Sequence, residues 1–179
     1  MNTKLIKEYK KTLKLSESQR EIIIGLLLGD GHFETRNGQI YRLKVEHSIK
    51  QKEYVDWLYQ NFINLTNQPP KAREKTSFDK KIIPKNIKKL LSPLSLAIWF
   101  MDDGSLKSIK HRAYIIHTLG YDLSELQIME KALMEKFGIK IKIHKQYNKW
   151  RIYIPAESYE KFRKLIKSHI IESMKYKLG

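Results

Sequence analysis

Two aspartates stand at equivalent places after two short apolar runs of this chain. The runs 22–28 and 96–101 are each followed within two residues by Asp-Gly, at Asp30 and Asp103. A helix that is apolar on all sides is buried, usually against another helix, and its C-terminal end disfavours a carboxylate. Two such helices packed side by side would bring both carboxylates together, where they repel unless a cation lies between them. The pair therefore indicates two halves of one divalent-cation centre, whereas a single Asp-Gly is most often only a helix end.

Small residues on the two runs favour close packing of the helices. Gly25 and Gly29 lie four residues apart, and Ala97 provides a less open position in the second run. The oxygen donors at the helix ends suit Mg²⁺, which keeps several of its waters and leaves room for phosphate groups. The chemistry that this arrangement permits is metal-assisted hydrolysis of a phosphodiester.

Residues 23–31 and 96–104 resemble the nine-residue motif of the LAGLIDADG homing endonucleases, in the single-chain form with two motifs. The final Asp-Gly is kept in both copies, while the motif's first acid is replaced in both and Asp102 stands where the motif has alanine. The resemblance implies an α+β fold made of a duplicated αββαββα unit, with the motif helices at the core and two antiparallel DNA-binding sheets. It also implies that Asp30 and Asp103 bind the catalytic metal ions, each acid serving one DNA strand across the minor groove.

The expected metal is Mg²⁺, with Mn²⁺ able to substitute and Ca²⁺ binding without supporting cleavage. Gly29 and Asp102, directly before the two acids, complete the candidate metal-site residues. Because Asp102 lies on the turn beside the ligand, a capping or supporting role is favoured for it.

Further residues are expected to flank the metal centre. The resemblance extends to Lys81, within Lys-Lys-Ile-Ile-Pro, and to Lys177, within a closing Tyr-Lys-Leu. Such lysines would orient the attacking water or offset phosphate charge, although a solvated lysine is the ordinary alternative. Glu46 and His117 stand at matching hairpin ends, where they could hold metal-bound water or simply face solvent.

Composition bounds the partners of the chain. Its 179 residues carry a net charge of +16 with 41% hydrophobic residues, so a folded domain with a polyanionic partner is indicated. Apolar runs stop near ten residues, too short for a membrane span. The absence of cysteine excludes disulfides and thiolate zinc sites and fits a reducing compartment. No secretory signal is recognised, so we expect a cytoplasmic protein in a prokaryote or one inside an organelle.

The periodicity alternates between helical and two-residue patterns, which predicts an internal repeat. Asn37-Gly38 before an alternating run indicates a hairpin, and Ile139, Ile141 and Ile143 alternate with basic residues. We predict a basic arm at 1–15, a first half at 16–91 and a second half at 92–179. The first half is expected to lack about a strand and a helix, with one basic strand near 71–75 followed by a linker over 77–91.

The strand faces are the expected DNA-reading surface, because a two-stranded ribbon fits the major groove and arginine pairs with guanine edges. Most of the lysines are expected to contact phosphates. The candidate DNA-contacting residues are Arg36, Arg42, Lys44, Glu46, Lys71, Arg73, Arg112, His117, Lys140, Lys142, Lys149 and Arg151.

The sequence therefore predicts a monomeric, metal-dependent endonuclease that cuts a long asymmetric site in double-stranded DNA, as expected for intron homing. Two alternatives remain. One is an intron maturase that binds intron RNA on the same fold, and the other is a DNA-binding regulator without catalysis. Retention of both motif acids favours the nuclease, because neither alternative requires them.

Overall fold

The computed structural model describes residue 8 and residues 11–35, 37–66, 68–72 and 81–179. In chain order the elements are α1 (Glu17–Leu28), β1 (His32–Thr35), β2 (Tyr41–Lys44), α2 (Lys52–Asn61), α3 (Ile87–Leu90), α4 (Pro93–Asp103), β3 (Gly104–Ser108), β4 (Ala113–Ile116), α5 (Leu123–Phe137), β5 (Lys142–Gln146), β6 (Lys149–Ile154) and α6 (Ala156–Ile166). Short 3₁₀ turns precede α2 and follow α6.

The two motif helices, α1 and α4, pack directly against each other at the centre of the fold. Each begins with a capping box, at Ser16 and Ser92, that satisfies otherwise unpaired backbone groups of the first turn. At Gly25 the backbones approach so closely that an added Cβ would lie 2.5 Å from the Cβ of Ile98. The prediction of glycine-mediated packing is confirmed, and the apolar second run is buried from Leu96 to Met101.

The second half contains the complete repeat. Helix α4 leads into the β3–β4 hairpin, then α5, the β5–β6 hairpin and α6. The four strands form one antiparallel sheet in the order β3-β4-β6-β5. Tyr114, Ile116, Ile152 and Ile154 are buried on its inner face, where α6 contributes Phe162. The predicted αββαββα order is therefore confirmed for this half.

Among the described residues, the first half has fewer strands than the second. Helix α1 is followed by an antiparallel β1–β2 pair, with its turn at Asn37, whose Oδ1 accepts hydrogen bonds from the N–H groups of Gln39 and Ile40. After α2, the residues described up to 72 contain no further strand. The predicted basic strand is absent at Lys71 and Ala72, and the rest of its span, 73–75, lies outside the described residues.

The linker prediction for 77–91 is wrong at its end. Residues 87–90 form the short helix α3, and Ile83, Ile87 and Leu91 are buried in the core. Ile83, Ile87 and Leu91 lie four residues apart, which is a helical spacing, but Pro84 and the lysines between them obscured it. The predicted boundary between 91 and 92 falls directly before α4. Within the described residues, no helix is long and apolar enough to cross a membrane.

Candidate metal and DNA-binding site

The C-terminal ends of α1 and α4 bring three aspartates into one cluster. Asp30 lies two residues after the end of α1 and remains partly exposed, with 38% of its side chain accessible. Asp102 and Asp103 are the last residues of α4. The side chain of Asp102 is fully buried, and Asp103 is partly buried. The acids that the sequence places 73 residues apart are thus neighbours at one end of the helix pair.

The carboxylate of Asp102 is the internal anchor of this cluster. Its Oδ2 accepts a hydrogen bond from the backbone N–H of Asp30 at 2.9 Å, and its Oδ1 accepts one from the hydroxyl of Tyr54 at 2.8 Å. Burial raises the pKa of the Asp102 carboxyl to about 6, although His47 opposes the rise. A fully buried carboxylate with two donors is a structural support, which matches the supporting role favoured for it.

His47 lies between two of the acids. Its Nδ1 is 3.3 Å from Oδ2 of Asp30, and its Nε2 is 3.7 Å from Oδ1 of Asp102. The side chain is fully buried, and within the described part of the chain neither ring nitrogen has a hydrogen bond of good geometry. Burial opposes protonation of the ring, yet the two carboxylates outweigh burial and raise the pKa of His47. The imidazole is therefore aimed into the acidic cluster.

Asp103 is the most strongly perturbed of the acids. Burial, reinforced by the nearby charges of Asp30 and Asp102, raises the pKa of its carboxyl to about 7, and Lys81 opposes this rise. Ionised carboxylates that are buried close together repel each other, and a bound cation stabilises them.

Two lysines occupy the ends of the motif helices, as the resemblance implies. Nζ of Lys81 lies 3.5 Å from the carbonyl oxygen of Leu27 and 3.4 Å from that of Gly31, at the end of α1. Nζ of Lys177 donates to the carbonyl oxygens of Met101 and Asp102, at the end of α4. Burial lowers the pKa of Lys177, while the three aspartates act in the opposite direction. Cations at helix C-termini are favourable, so both lysines are held at the rim of the acidic cluster.

The residues present fit a divalent cation. Ligand atoms of Asp30, His47 and Asp102 all lie within 4.8 Å of one another, but both carboxylate oxygens of Asp102 already accept hydrogen bonds, so Asp102 is better suited to support the site than to bind the ion. A bound cation would offset the repulsion that adds to burial in raising the pKa of Asp103, and it would give the unpaired ring nitrogens of His47 a positively charged neighbour.

The outer face of the four-stranded sheet is basic and aromatic. Lys142 is paired with Tyr153, His144 with Arg151, and Gln146 with Lys149, so these side chains share one face. His144 stacks on Tyr153 with ring centroids 5.0 Å apart. Lys142, Lys149 and Arg151 therefore lie together on the surface where the sequence predicted them. At the inner margin of this face, His117 lies 3.1 Å from the hydroxyl of Ser105, and burial together with Arg151 and Lys177 lowers its pKa.

The two-stranded sheet is different, because acids neutralise its basic residues. Glu34 pairs with Arg42 at 2.7 Å and with Lys44 at 3.1 Å, and Lys44 also pairs with Glu46 at 3.2 Å. Hydrogen bonds from Arg42 and Lys44 lower the pKa of Glu34 to about 2. Charge neutralisation is therefore observed on the strand face where Arg42 and Lys44 were expected to contact DNA. Its cause is Glu34, which faces Arg42 directly across the strands.

Two other candidates lie away from the strand face. Arg112 occupies the β3–β4 turn and pairs with Glu160 of α6 at 2.8 Å. Lys140 precedes β5 and pairs with Glu157 of α6 at 3.1 Å. Their predicted placement on the strands is wrong, because the strands begin one and two residues later. Lys71 lies in no strand, and Arg36 and Arg73 lie outside the described residues.

The sequence reasoning missed His47 and Tyr54. His47 follows the hairpin end at Glu46, and no spacing along the chain connects it to acids of either motif. Tyr54 lies four residues before Leu58 on α2, and both are buried. The i, i+4 spacing of these two residues was a signal for the buried face of α2, although not for contact with Asp102.

Comparison with known proteins agrees with this geometry. The sequence profile of the LAGLIDADG DNA endonuclease family matches residues 20–79 and 76–162. The chain is 33% identical to the probable intron-encoded endonuclease 1 of Wickerhamomyces canadensis, over 99% of this chain and 91% of that protein. It is 32% identical to the cytochrome b mRNA maturase bI2 of Debaryomyces hansenii, over 92% of this chain and 75% of that protein.

A solved structure is also similar. The homing endonuclease I-WcaI bound to its DNA recognition sequence superposes with a TM-score of 0.88 at 30% identity, over 99% of this chain and 93% of that chain.

Proposed function

The chain belongs to the LAGLIDADG DNA endonuclease family, and from this premise we propose that it is a site-specific endonuclease that hydrolyses both strands of a DNA duplex. The observation that carries the proposal is the buried acidic cluster at the ends of the two motif helices. Binding of RNA or DNA alone does not require two carboxylates whose charges destabilise each other. A phosphodiester hydrolase that holds a divalent cation does require them.

The proposed roles follow from position. Asp30 and Asp103 hold the cation, with the backbone of Gly29 beside them, and Asp102 supports Asp30 from the protein interior. Lys81 and Lys177 lie at the rim, where an ammonium offsets phosphate charge and orients a water. Mg²⁺ is the proposed metal, and when bound it supplies an activated water and stabilises the charge on the leaving oxygen.

The four-stranded sheet provides the principal DNA contacts in this proposal. Lys142, Lys149 and Arg151 share its outer face, and the stacked pair of His144 and Tyr153 lies among them. In the two-stranded sheet, Arg42 and Lys44 would exchange Glu34 for DNA contacts. The similarity to an endonuclease bound to its recognition sequence supports duplex DNA as the partner. Because both motif helices belong to one chain and pack on each other, we propose a monomer.

The similarity to a cytochrome b mRNA maturase favours a second function, binding of intron RNA. The two functions are separable, because RNA binding would use basic surface without the acidic cluster. Replacement of an acid by asparagine would then abolish cleavage and preserve RNA binding.

Selection for cleavage from a randomised duplex library with Mg²⁺ tests the main proposal. We expect the wild-type protein to cut a defined site, and Asp30→Asn and Asp103→Asn each to lose cleavage of one strand. Asp56→Asn, a change of the same kind at an exposed salt bridge on α2, is the matched control and should cut normally. Tight binding of structured RNA without cleavage of any duplex would instead support the maturase function.

A further inference from the structure

The two halves of the acidic cluster are not chemically equivalent. Gly29 and Asp102 occupy the same position of the two motif copies, directly before Asp30 and Asp103. A Cβ added to Gly29 would lie 2.1 Å from Oδ2 of Asp102. The glycine of the first copy therefore makes the space in which the carboxylate of the second copy sits.

The carboxylate of Asp102 acts on the opposite half of the site. Although it belongs to α4, it receives the backbone N–H of Asp30 across the helix interface. Its other oxygen receives the hydroxyl of Tyr54, whose ring packs edge-on against His47 with centroids 4.9 Å apart. His47 in turn faces the side chain of Asp30. Asp30 is thus held at both its backbone and its carboxylate.

Asp103 is supported differently, because the side chain of Trp99 and the charge of Lys81 act on its carboxyl. The two hairpins can be aligned through the residue that follows the final glycine of each motif copy. This residue is His32 in the first half, paired with Lys44, and Ser105 in the second half, paired with Ile115. His47 lies three residues after Lys44, and the matching residue three positions after Ile115 is Thr118. The hydroxyl of Thr118 donates to the carbonyl oxygen of Trp150 at 3.0 Å, so it is directed into the sheet.

We propose that His47, Tyr54 and Asp102 are positioning residues for Asp30 alone, so that the two DNA strands are cut by unequal half-sites. This inference rests on the proposed endonuclease function. Loss of the network displaces Asp30 and slows the strand that Asp30 serves, while the strand served by Asp103 is cut at its normal rate. The affected enzyme becomes a strand-selective nickase.

Cleavage measured separately on each strand tests this inference. The Asp30→Asn variant first identifies which strand depends on Asp30. We expect Asp102→Asn, Tyr54→Phe and His47→Asn to slow that strand by about 10- to 100-fold, the usual effect of removing a residue that orients a metal ligand. Raising the Mg²⁺ concentration should recover part of the loss on that strand only.

A control and a metal-free measurement separate positioning from general damage. Thr118→Val removes a buried hydroxyl at the matching place in the other half and should leave the Asp30-dependent strand unchanged. In the metal-free protein, hydrogen exchange at the amide of Asp30 should be slow in the wild type and at least about tenfold faster in Asp102→Ala, because that amide loses its acceptor.

The outcomes separate the inference from the function on which it rests. Equal slowing of both strands by the three variants would overturn the inference, as would unchanged exchange at Asp30. Failure of the wild-type protein to cut either strand of any duplex would instead overturn the proposed function.

Discussion

Replacement of Asp103 by asparagine is expected to stabilise the metal-free protein. The pKa of the Asp103 carboxyl is about 7 in the folded protein, against an ordinary value of 3.8. Because the folded-state pKa is raised, folding is favoured below pH 4, and stability is lost progressively as the pH rises from about 4 to about 7. Each unit of pKa corresponds to about 1.4 kcal/mol, so the cost of the ionised Asp103 at pH 8 reaches about 4 kcal/mol.

Asparagine removes this cost while keeping nearly the same shape. Part of the perturbation is shared with Asp30 and Asp102, so we expect Asp103→Asn to raise the free energy of unfolding by about 2 to 4 kcal/mol at pH 8. At pH 4.5 the gain should fall to about 1 kcal/mol or less, because the wild-type carboxyl is then protonated in the folded state. The measurement is urea unfolding at both pH values in the presence of EDTA.

Asp56→Asn is the control for the substitution itself. Asp56 forms an exposed i, i+4 pair with Lys52, and such pairs contribute about 0.5 kcal/mol or less. Its loss should therefore produce a small change in the opposite direction. A destabilised Asp103→Asn variant at pH 8, or an equal gain at both pH values, would show that the cluster is not electrostatically strained.

Three further predictions concern the metal, the helix interface and the DNA surface. Mg²⁺ or Ca²⁺ should raise the melting temperature of the wild type at pH 8, because a ligand stabilises the state that binds it. The melting temperature of a variant in which both Asp30 and Asp103 are replaced by asparagine should not change. Calorimetry with and without EDTA measures both. Gly25→Ala should cost about 1 to 3 kcal/mol in urea unfolding, because its Cβ would lie 2.5 Å from that of Ile98; wild-type stability would contradict the close packing. Arg151→Ala should weaken duplex binding and lower by about one the slope of log binding constant against log salt concentration. Arg112→Ala should change neither quantity, because Arg112 is already paired with Glu160. Equal effects of the two variants in fluorescence anisotropy titrations would refute the assignment of the binding face.

Local pattern was sufficient to predict most of the second half. Alternation of Ile152 and Ile154 with polar residues is enough to predict β6, and Pro155 is enough to predict the start of α6. The capping residues Ser16 and Ser92 are likewise enough to predict the start of each motif helix, because capping depends on neighbours three residues apart. Such features survive in the structure since they need no partner from distant parts of the chain.

The environment of the acids was not predictable in the same way. The contact between Tyr54 and Asp102 joins residues 48 apart, and that between Asp30 and Asp102 joins residues 72 apart. Such contacts leave no periodic pattern in the sequence near either residue. Glu34 was also missed as a partner of Arg42, because it depends on the register of the hairpin rather than on either strand alone. The acids were found by their motif, and their supports only by the fold.

The complementary packing of Gly29 and Asp102 has a consequence for the ancestry of the chain. In a symmetric dimer of identical halves, the residue at this position would face the same residue of the other half. Two aspartates would then collide, because the space holds one aspartate only where the facing residue is a glycine. The arrangement therefore requires two halves that differ at this position, which one polypeptide with two diverged halves provides. Chimeras that exchange one half for that of a relative would inherit the same constraint, and the two positions would have to be transplanted as a pair.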